Sequence, residues 1–260
     1  MGASVRRVAA IYDIHANLPA LEAVCEEIGR AGVDAVVVGG DVLPGPMPRE
    51  TLAFLRGLPV EVRFIRGNGD REVLAERRRP GASAAAVPEQ FREAMRWVAR
   101  ELEPEDEQLL DAWPSTLMMD VEGLGPILFC HATPRSDTEL FSQETPEAHL
   151  LLMLGSLDVS TLVCGHTHMQ FDRLVGRVRI VNAGSVGMPC GEPGAYWLLL
   201  GPDVELRRTP YDMVKAAERI RRTAYPQAAE FAAHSVLQPP PERGMLDIIA
   251  RATGREERHR

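Results

Sequence analysis

The sequence predicts an α/β protein, and three observations carry that prediction. Apolar runs at residues 5–14, 35–38 and 60–66 alternate with helix-patterned segments in the order β-α-β-α-β. We read all three as strands buried on both faces of a parallel sheet, the kind that is apolar throughout. Each run ends, rather than begins, in polar residues, and open α/β sheets keep their sites at those ends.

The elements follow in chain order. Residues 5–14 form the first strand and leave through Asp13-Ile14-His15-Ala16-Asn17. In residues 19–31, Leu21, Val24, Cys25 and Ile28 share one face and Glu22, Glu26, Glu27 and Arg30 the other, the pattern of a half-buried helix. Pro19 suits its first turn and Gly32 its end. The second strand, 35–38, exits through Gly39-Gly40-Asp41, and the prolines at 44, 46 and 48 exclude regular structure until a short helix at 49–56. The third strand, 60–66, runs out into Gly67-Asn68-Gly69-Asp70. Residues 71–114 read as helical, with Phe91, Met95, Val98 and Leu102 on one face and a fresh start at Pro104-Glu105-Asp106-Glu107.

From Thr116 the hydrophobic period changes. Residues 117–121 and 126–130 read as strands about a turn at 123–125, the second ending at His131. A helix at 146–154 precedes a strand at 160–164 that closes in Gly165-His166-Thr167-His168. Strands at 177–181, 195–200 and 204–209 follow, then helices at 211–222 and 226–237, which Pro239-Pro240-Pro241 ends. We expect one domain over 1–238, with 71–114 a helical insert near the mouth of the site, and a tail at 239–260 whose basic end, 255–260, frays.

The totals exclude several classes. A net charge of -8 over 260 residues, with no basic stripe, argues against binding long nucleic acid. The four cysteines contain no C-x-x-C pair, so neither a disulfide framework nor a zinc ribbon is expected, and reduced thiols fit a cytoplasmic protein. No run is long enough to span a bilayer, and Asp13 interrupts the short apolar run near the N-terminus.

Collected, the polar strand exits are Asp13, His15, Asp41, Asn68, His131, His166 and His168, three oxygen donors and four imidazoles. His166 and His168 stand two residues apart, so on extended backbone both rings can face one pocket. Singly, each residue has an ordinary structural reading: a turn acid, an Asx-turn, a core histidine. Together, five segments in order deliver enough ligands for two metal ions with one bridging carboxylate. Two ions about 3.5–4 Å apart are a standard device for in-line attack on phosphorus. The mixed donor set suits Mn, Fe, Zn or Ni better than Mg or Ca, with Mn the expected activator.

The order D-x-H, G-D, G-N-x-D, H and G-H-x-H, carried by Asp13/His15, Gly40-Asp41, Gly67-Asn68-Gly69-Asp70, His131 and Gly165-His166-Thr167-His168, resembles the calcineurin-like metallophosphoesterase superfamily. The loop at 182–187 and Thr209-Pro210-Tyr211-Asp212 resemble its small bacterial and archaeal phosphodiesterases. The resemblance covers roughly residues 5–215. It implies a four-layer αββα sandwich, two mixed β-sheets flanked by helices. It also implies one metal on Asp13, His15, Asp41 and His168 and a second on Asp41, Asn68, His131 and His166, with Asp41 the bridge.

The implied reaction is attack on phosphorus by a hydroxide bridging the metals. Asn68 would bind metal through its carbonyl oxygen and donate its amide to a phosphoryl oxygen, and Arg135 would clamp the phosphate bidentately. Asn17 would hold the first loop, while Asp70, Arg66, Arg71 and Arg135 are within reach as alternative sources of a proton for the leaving group. The expected substrate is a small phosphoester, a nucleotide among the options; monomer and small homo-oligomer remain open.

One departure matters. Superfamily members with G-N-H-D place a histidine over the substrate, oriented in protein-phosphatase-like members by an Asp three residues after the bridging one. Gly69 and Pro44 occupy those places here. Losing a general acid costs about 10²–10⁴-fold for poor leaving groups. The expectation is therefore hydrolysis of phosphodiesters or activated esters over alkyl monoesters. Alternatives are hydrolysis of dinucleoside polyphosphates or cyclic nucleotides, and a catalytically weak binding or scaffold protein on the same fold.

Overall fold

In the computed structural model, which describes residues 5–256, the short apolar runs are strands with no exposed surface: β1 (Val8–Ile11), followed by α1 (Leu18–Ala31), and β2 (Ala35–Val38), followed by α2 (Pro48–Arg56). Next come β3 (Glu61–Phe64), α3 (Asn68–Arg78), α4 (Arg92–Glu101) and α5 (Pro104–Asp111). The second half supplies β4 (Thr116–Val121), β5 (Gly125–Cys130), α6 (Glu147–Leu154), β6 (Thr161–Cys164), β7 (Gln170–Val175), β8 (Val178–Ala183), β9 (Ala195–Leu200) and β10 (Val204–Thr209). The helices α7 (Met213–Arg221), α8 (Ala228–Phe231) and α9 (Glu242–Glu256) close the chain.

The strands form two five-stranded sheets, in the orders β10-β9-β1-β2-β3 and β4-β5-β6-β8-β7. Strands β1, β2 and β3 are parallel, and so are β5, β6 and β8, while β9 and β10 on one sheet and β4 and β7 on the other run antiparallel to their neighbours. Both sheets are therefore mixed. Parallel neighbours require long crossovers, which α1, α2 and α6 supply.

Alternation along each strand sorts its side chains into layers. Val8, Ala10, Tyr12, Val37 and Leu198 of the first sheet meet Ile127, Phe129, Val163 and Val181 of the second in the core between the sheets. Tyr12 also donates from its hydroxyl to the Val163 carbonyl at 3.2 Å, tying the two sheets together. The intervening residues Ala9, Ile11, Val36, Val38 and Trp197 face the larger helical layer, with Leu21, Leu52, Val73, Val98 and Ile220. On the far side, Leu162, Cys164 and Ile180 pack under Leu150 and Met153 of α6. The result is the four-layer α/β/β/α arrangement. Residues 71–114 contribute most of α3, with α4 and α5, to the larger core through Val73, Val98 and Leu110.

The structure differs from expectation in three places. Strand β3 is the edge of its sheet, with Glu61 exposed and Val62, Arg63 and Phe64 half-buried, and is not covered on both faces. Residues 170–175 form β7, an edge strand. Its Asp172 pairs with Arg179 of β8 at 2.9 Å, so charge conceals a strand whose Phe171 and Val175 are buried. The tail after the proline triplet carries α9, whose Ile249, with Met245 and Leu246, packs on Met169 and Cys190 beside the last histidine loop. The basic end at 255–260 lies outside the residues whose side chains are described. No helix among the described residues is long and apolar enough to cross a membrane.

Candidate metal centre

The C-terminal ends of β1, β2, β5 and β6 and the turn between β3 and α3 converge at one end of the two sheets. The seven residues singled out in the sequence meet there. Asp13, His15 and His168 form one group of potential ligand atoms, all within 4.8 Å of one another, and Asp41, His131 and His166 form a second. Asp41 stands between the groups. Its Oδ2 lies 3.8 Å from His15 Nε2, and its Oδ1 lies 3.5 Å from His131 Nε2. Asn68 completes the second group, its amide 3.0 Å from His166 Nδ1 and 3.2 Å from His131 Nε2.

Three observations test whether divalent metal fits this donor set. First, His15 Nε2 and His168 Nε2 face each other at 3.2 Å. Their Nδ1 atoms lie 3.3 Å from the Pro44 carbonyl and 2.7 Å from the Met188 carbonyl, which places the protons on Nδ1 and leaves two lone pairs opposed. His131 is held likewise, with Nδ1 at 3.0 Å from the Gly39 carbonyl. Second, Asp13 Oδ1 is buried with no hydrogen-bond partner, 3.4 Å from His168 Nε2. Third, the Asn68 amide faces the two imidazole nitrogens and, at 3.1 Å, the Asp137 carbonyl. With its NH₂ inward it donates to all three while its oxygen accepts the Gly69 N–H at 3.1 Å, whereas an inward oxygen meets only acceptors and needs a cation. The residues fit two divalent ions, and the two His/Asp clusters are consistent with a dinuclear metal site.

The backbone is bent to make this convergence. Asp13, His15, Asp41, His166 and His168 all adopt positive φ, between 47° and 67°. Such conformations cost about 1–3 kcal/mol each for residues with a Cβ and persist only where surroundings hold them. Here the neighbouring loops do so: Asp13 N–H donates to the Gly40 carbonyl at 3.1 Å, His15 N–H to the Asp41 carbonyl at 3.0 Å, and His166 N–H to Asp13 Oδ2 at 2.8 Å. Glycines permit the close approach. A Cβ at Gly67 would fall 2.2 Å from Asp41 Oδ1, and one at Gly165 would fall 2.5 Å from Asp13 Oδ2.

Several residues of the supporting shell were read differently, or not at all, in the sequence. Asp70, a candidate proton source there, is fully buried and accepts the N–H groups of Asp41 (2.8 Å), Leu43 (2.9 Å) and Gly67 (3.0 Å). It organises the two ligand-bearing loops and caps α3. Burial and then the Asp41 charge push its pKa up to about 7, against the pull of those donors. Asp70→Ala would strand three buried donors. We expect it to destabilise the protein by at least about 3 kcal/mol in chemical denaturation.

Asn182 donates to the Gly165 carbonyl at 2.7 Å and to Thr167 Oγ1 at 3.1 Å, fixing the last histidine loop. Ser185 Oγ donates to the Asp13 carbonyl at 2.7 Å. Asn17 holds the first loop as expected, capping α1 through Ala20 N–H and donating to the Gly187 carbonyl. Arg71 is tied to Asp137 at 2.7 and 3.0 Å. Arg135 lies on the wall of a cavity beside His131, with its guanidinium paired to Glu139 and donating to the Leu152 carbonyl. Cys130 and Cys164 are buried thiols pushed well above their usual pKa by that burial, and Met47 is core.

Charge at the centre follows from packing. Burial and the adjacent imidazoles hold His15 and His166 down at about 3, so both are neutral donors. Burial alone would lower His168 too, but the Asp13 carboxylate outweighs it and raises the group. Burial, then Asp13, raises Asp41 above the usual carboxylate range. Two acids this close in an apolar setting need a counter-charge. In metal-free protein, the ring resonances of His15 and His166 should show no titration between pH 8 and 5 by NMR. The unfolded chain takes up those protons near pH 6.5. These two groups therefore stabilise the fold fully above that pH and progressively less as pH falls from about 6.5 toward 3.

The fold and site together define a phosphoesterase-type α/β/β/α sandwich with two candidate His/Asp metal sites at its edge. The chain matches the calcineurin-like phosphoesterase superfamily domain over residues 7–201, and it belongs to that superfamily. An uncharacterized protein of Methanocaldococcus jannaschii is 27% identical over 241 residues, covering 85% of this chain and 94% of the relative. A metallophosphoesterase from Sphaerobacter thermophilus superposes with TM-score 0.66 at 26% identity, covering 88% of this chain and all of the other. A hypothetical protein from Pyrococcus horikoshii has the same fold, with TM-score 0.76 at 21% identity over 88% of this chain and 98% of its own.

Proposed function

We propose that the protein hydrolyses phosphoester bonds at a dinuclear centre held by Asp13, His15, Asp41, Asn68, His131, His166 and His168. The observation that carries this reading is the pair of His/Asp clusters joined through Asp41, with opposed imidazole lone pairs and an unpartnered buried carboxylate oxygen. When bound, divalent metal supplies Lewis acidity toward phosphoryl oxygens and lowers the pKa of water toward about 7. The chain's own part is geometric. Asp41 directs one oxygen to each cluster, and carbonyls of Gly39, Pro44 and Met188 fix three imidazole tautomers. Asn68 turns its oxygen inward and leaves its NH₂ to a phosphoryl oxygen, and Arg135, offset by Glu139, adds positive charge at the cavity wall.

Mn is the metal we propose as activator, and a phosphodiester or activated ester as substrate. In support of the second point, Gly69 and Pro44 pack against each other where a histidine–aspartate pair would otherwise stand, leaving no general acid from those positions. The test is turnover of bis-p-nitrophenyl phosphate by protein stripped of metal and then reloaded with Mn. Hydrolysis that appears only on reloading supports the reading, and hydrolysis indifferent to metal contradicts it.

A further inference from the structure

Helix α9 lies beyond the superfamily match, which ends at residue 201, and outside the two large cores. Its Ile249 is buried in a small apolar cluster of its own, with Met169 and Cys190, flanked by Leu140, Met245 and Leu246. Met169 directly follows His168 in the chain. The segment 188–191 is held from the same side: Gly191 N–H donates to the Pro240 carbonyl at 2.8 Å, and a Cβ at Gly191 would lie 3.2 Å from Glu242 Cγ. On its inner side this segment grips the first ligand cluster. Cys190 N–H donates to the His168 carbonyl at 3.2 Å, and the Met188 carbonyl lies 2.7 Å from His168 Nδ1. Ser185 Oγ accepts the Met188 N–H at 2.7 Å and donates to the Asp13 carbonyl at 2.7 Å. The second cluster is supported elsewhere. His131 is oriented by the Gly39 carbonyl, Asp41 accepts the Gly69 N–H, and Asn182 holds the near half of the last histidine loop at Gly165 and Thr167.

The carbonyl that orients a ligating imidazole sets how well its other nitrogen meets a metal, and such outer partners are worth about 10–100-fold in affinity. A helix seated on a cluster this small opens locally at lower cost than the cores behind it. We propose that Ile249 of α9 is a positioning residue for His168, acting through segment 188–191, so that docking of α9 and divalent metal at Asp13, His15 and His168 strengthen each other. The second cluster, Asp41, His131 and His166 with Asn68, is indifferent to α9. The coupling is reciprocal: whatever factor α9 adds to metal affinity, metal adds to the docking of α9. The inference rests on the dinuclear reading above and adds to it a difference between the two halves of the centre.

The test pairs two measurements on the full chain, with Mn as the probe. Free Mn is followed by electron paramagnetic resonance while wild type and Ile249→Asp are titrated. The aspartate forces α9 off its seat, because an unpaired carboxylate is not tolerated in that apolar cluster. The variant should bind one of its two ions at least about tenfold more weakly and the other within about twofold of wild type. Ile249→Val should bind both as the wild type does. In a His168→Ala background, Ile249→Asp should change affinity by less than about twofold, since both substitutions act on one ligand. The second measurement is alkylation of Cys190 by iodoacetamide, read by peptide mass spectrometry. The thiol is covered where Ile249 packs, so its reaction reports undocking, and saturating Mn should slow that reaction in the wild type by the same factor. This arm needs no variant and stands if Ile249→Asp folds poorly. A Cys190 rate unchanged by Mn, or a folded variant that binds both ions normally or loses both alike, overturns the proposal. Wild-type protein that takes up no Mn overturns the dinuclear reading with it, whereas two ions bound without coupling overturn this inference alone.

Discussion

Asp41→Asn is expected to empty both halves of the centre and to reduce phosphoester turnover more than about 100-fold. Outer-shell partners of metal ligands already cost about 10–100-fold, and Asp41 faces both clusters directly. The substitution keeps shape and volume but removes the charge that three histidines face at close range. One of its oxygens also accepts the Gly69 N–H at 2.7 Å, so an amide presenting NH₂ on that side would lose this bond as well. Metal analysis after gel filtration and a rate measurement at saturating Mn check the two halves of the expectation. Loss of activity with both metals retained would mean that Asp41 is not the bridge.

The second large effect concerns leaving groups. Bis-p-nitrophenyl phosphate should be hydrolysed faster than phosphate is released from simple alkyl monoesters, by a factor within the about 10²–10⁴ that general-acid catalysis is worth. Restoring the histidine will not reverse this. A Cβ at position 69 would sit 2.4 Å from the Leu43 carbonyl oxygen, 2.9 Å from Pro44 Cδ and 3.1 Å from Asp41 Oδ1. The first of these is backbone, so Gly69→His must displace the segment that carries Asp41. We expect about 1–3 kcal/mol of destabilisation and weaker metal binding, with no gain on alkyl monoesters. Thermal melts and a two-substrate rate comparison of the variant measure both. A variant that gains monoester activity at unchanged stability contradicts this account of the loop.

Those two positions also show what a sequence can carry. The departure at Gly69 and Pro44 was legible as two missing side chains, but their mutual contact was not, because they lie twenty-five residues apart and neither bears a polar group. The candidate ligands were legible because each follows a strand, and strand ends of parallel sheets point the same way. Strands β1, β2 and β6 announced themselves as unbroken apolar runs. Strand β7 did not: it is an edge strand whose exposed face carries Asp172 and Leu174, and it reads as surface. Helix α9 was hidden behind three prolines, although Met245 and Ile249 stand at helical spacing. The carbonyls of Gly39, Pro44 and Met188 that orient the imidazoles have no signature, since every residue carries a carbonyl. Asp70 had one, three residues into a helix after a glycine turn, which is a capping position rather than a catalytic one.

The most direct test of the centre is anomalous diffraction from crystals equilibrated with Mn. Two peaks about 3.5–4 Å apart are expected. One should lie among Asp13, His15 and His168, the other among Asn68, His131 and His166, with Asp41 between them. A single peak, or two that leave Asp41 unshared, would contradict it.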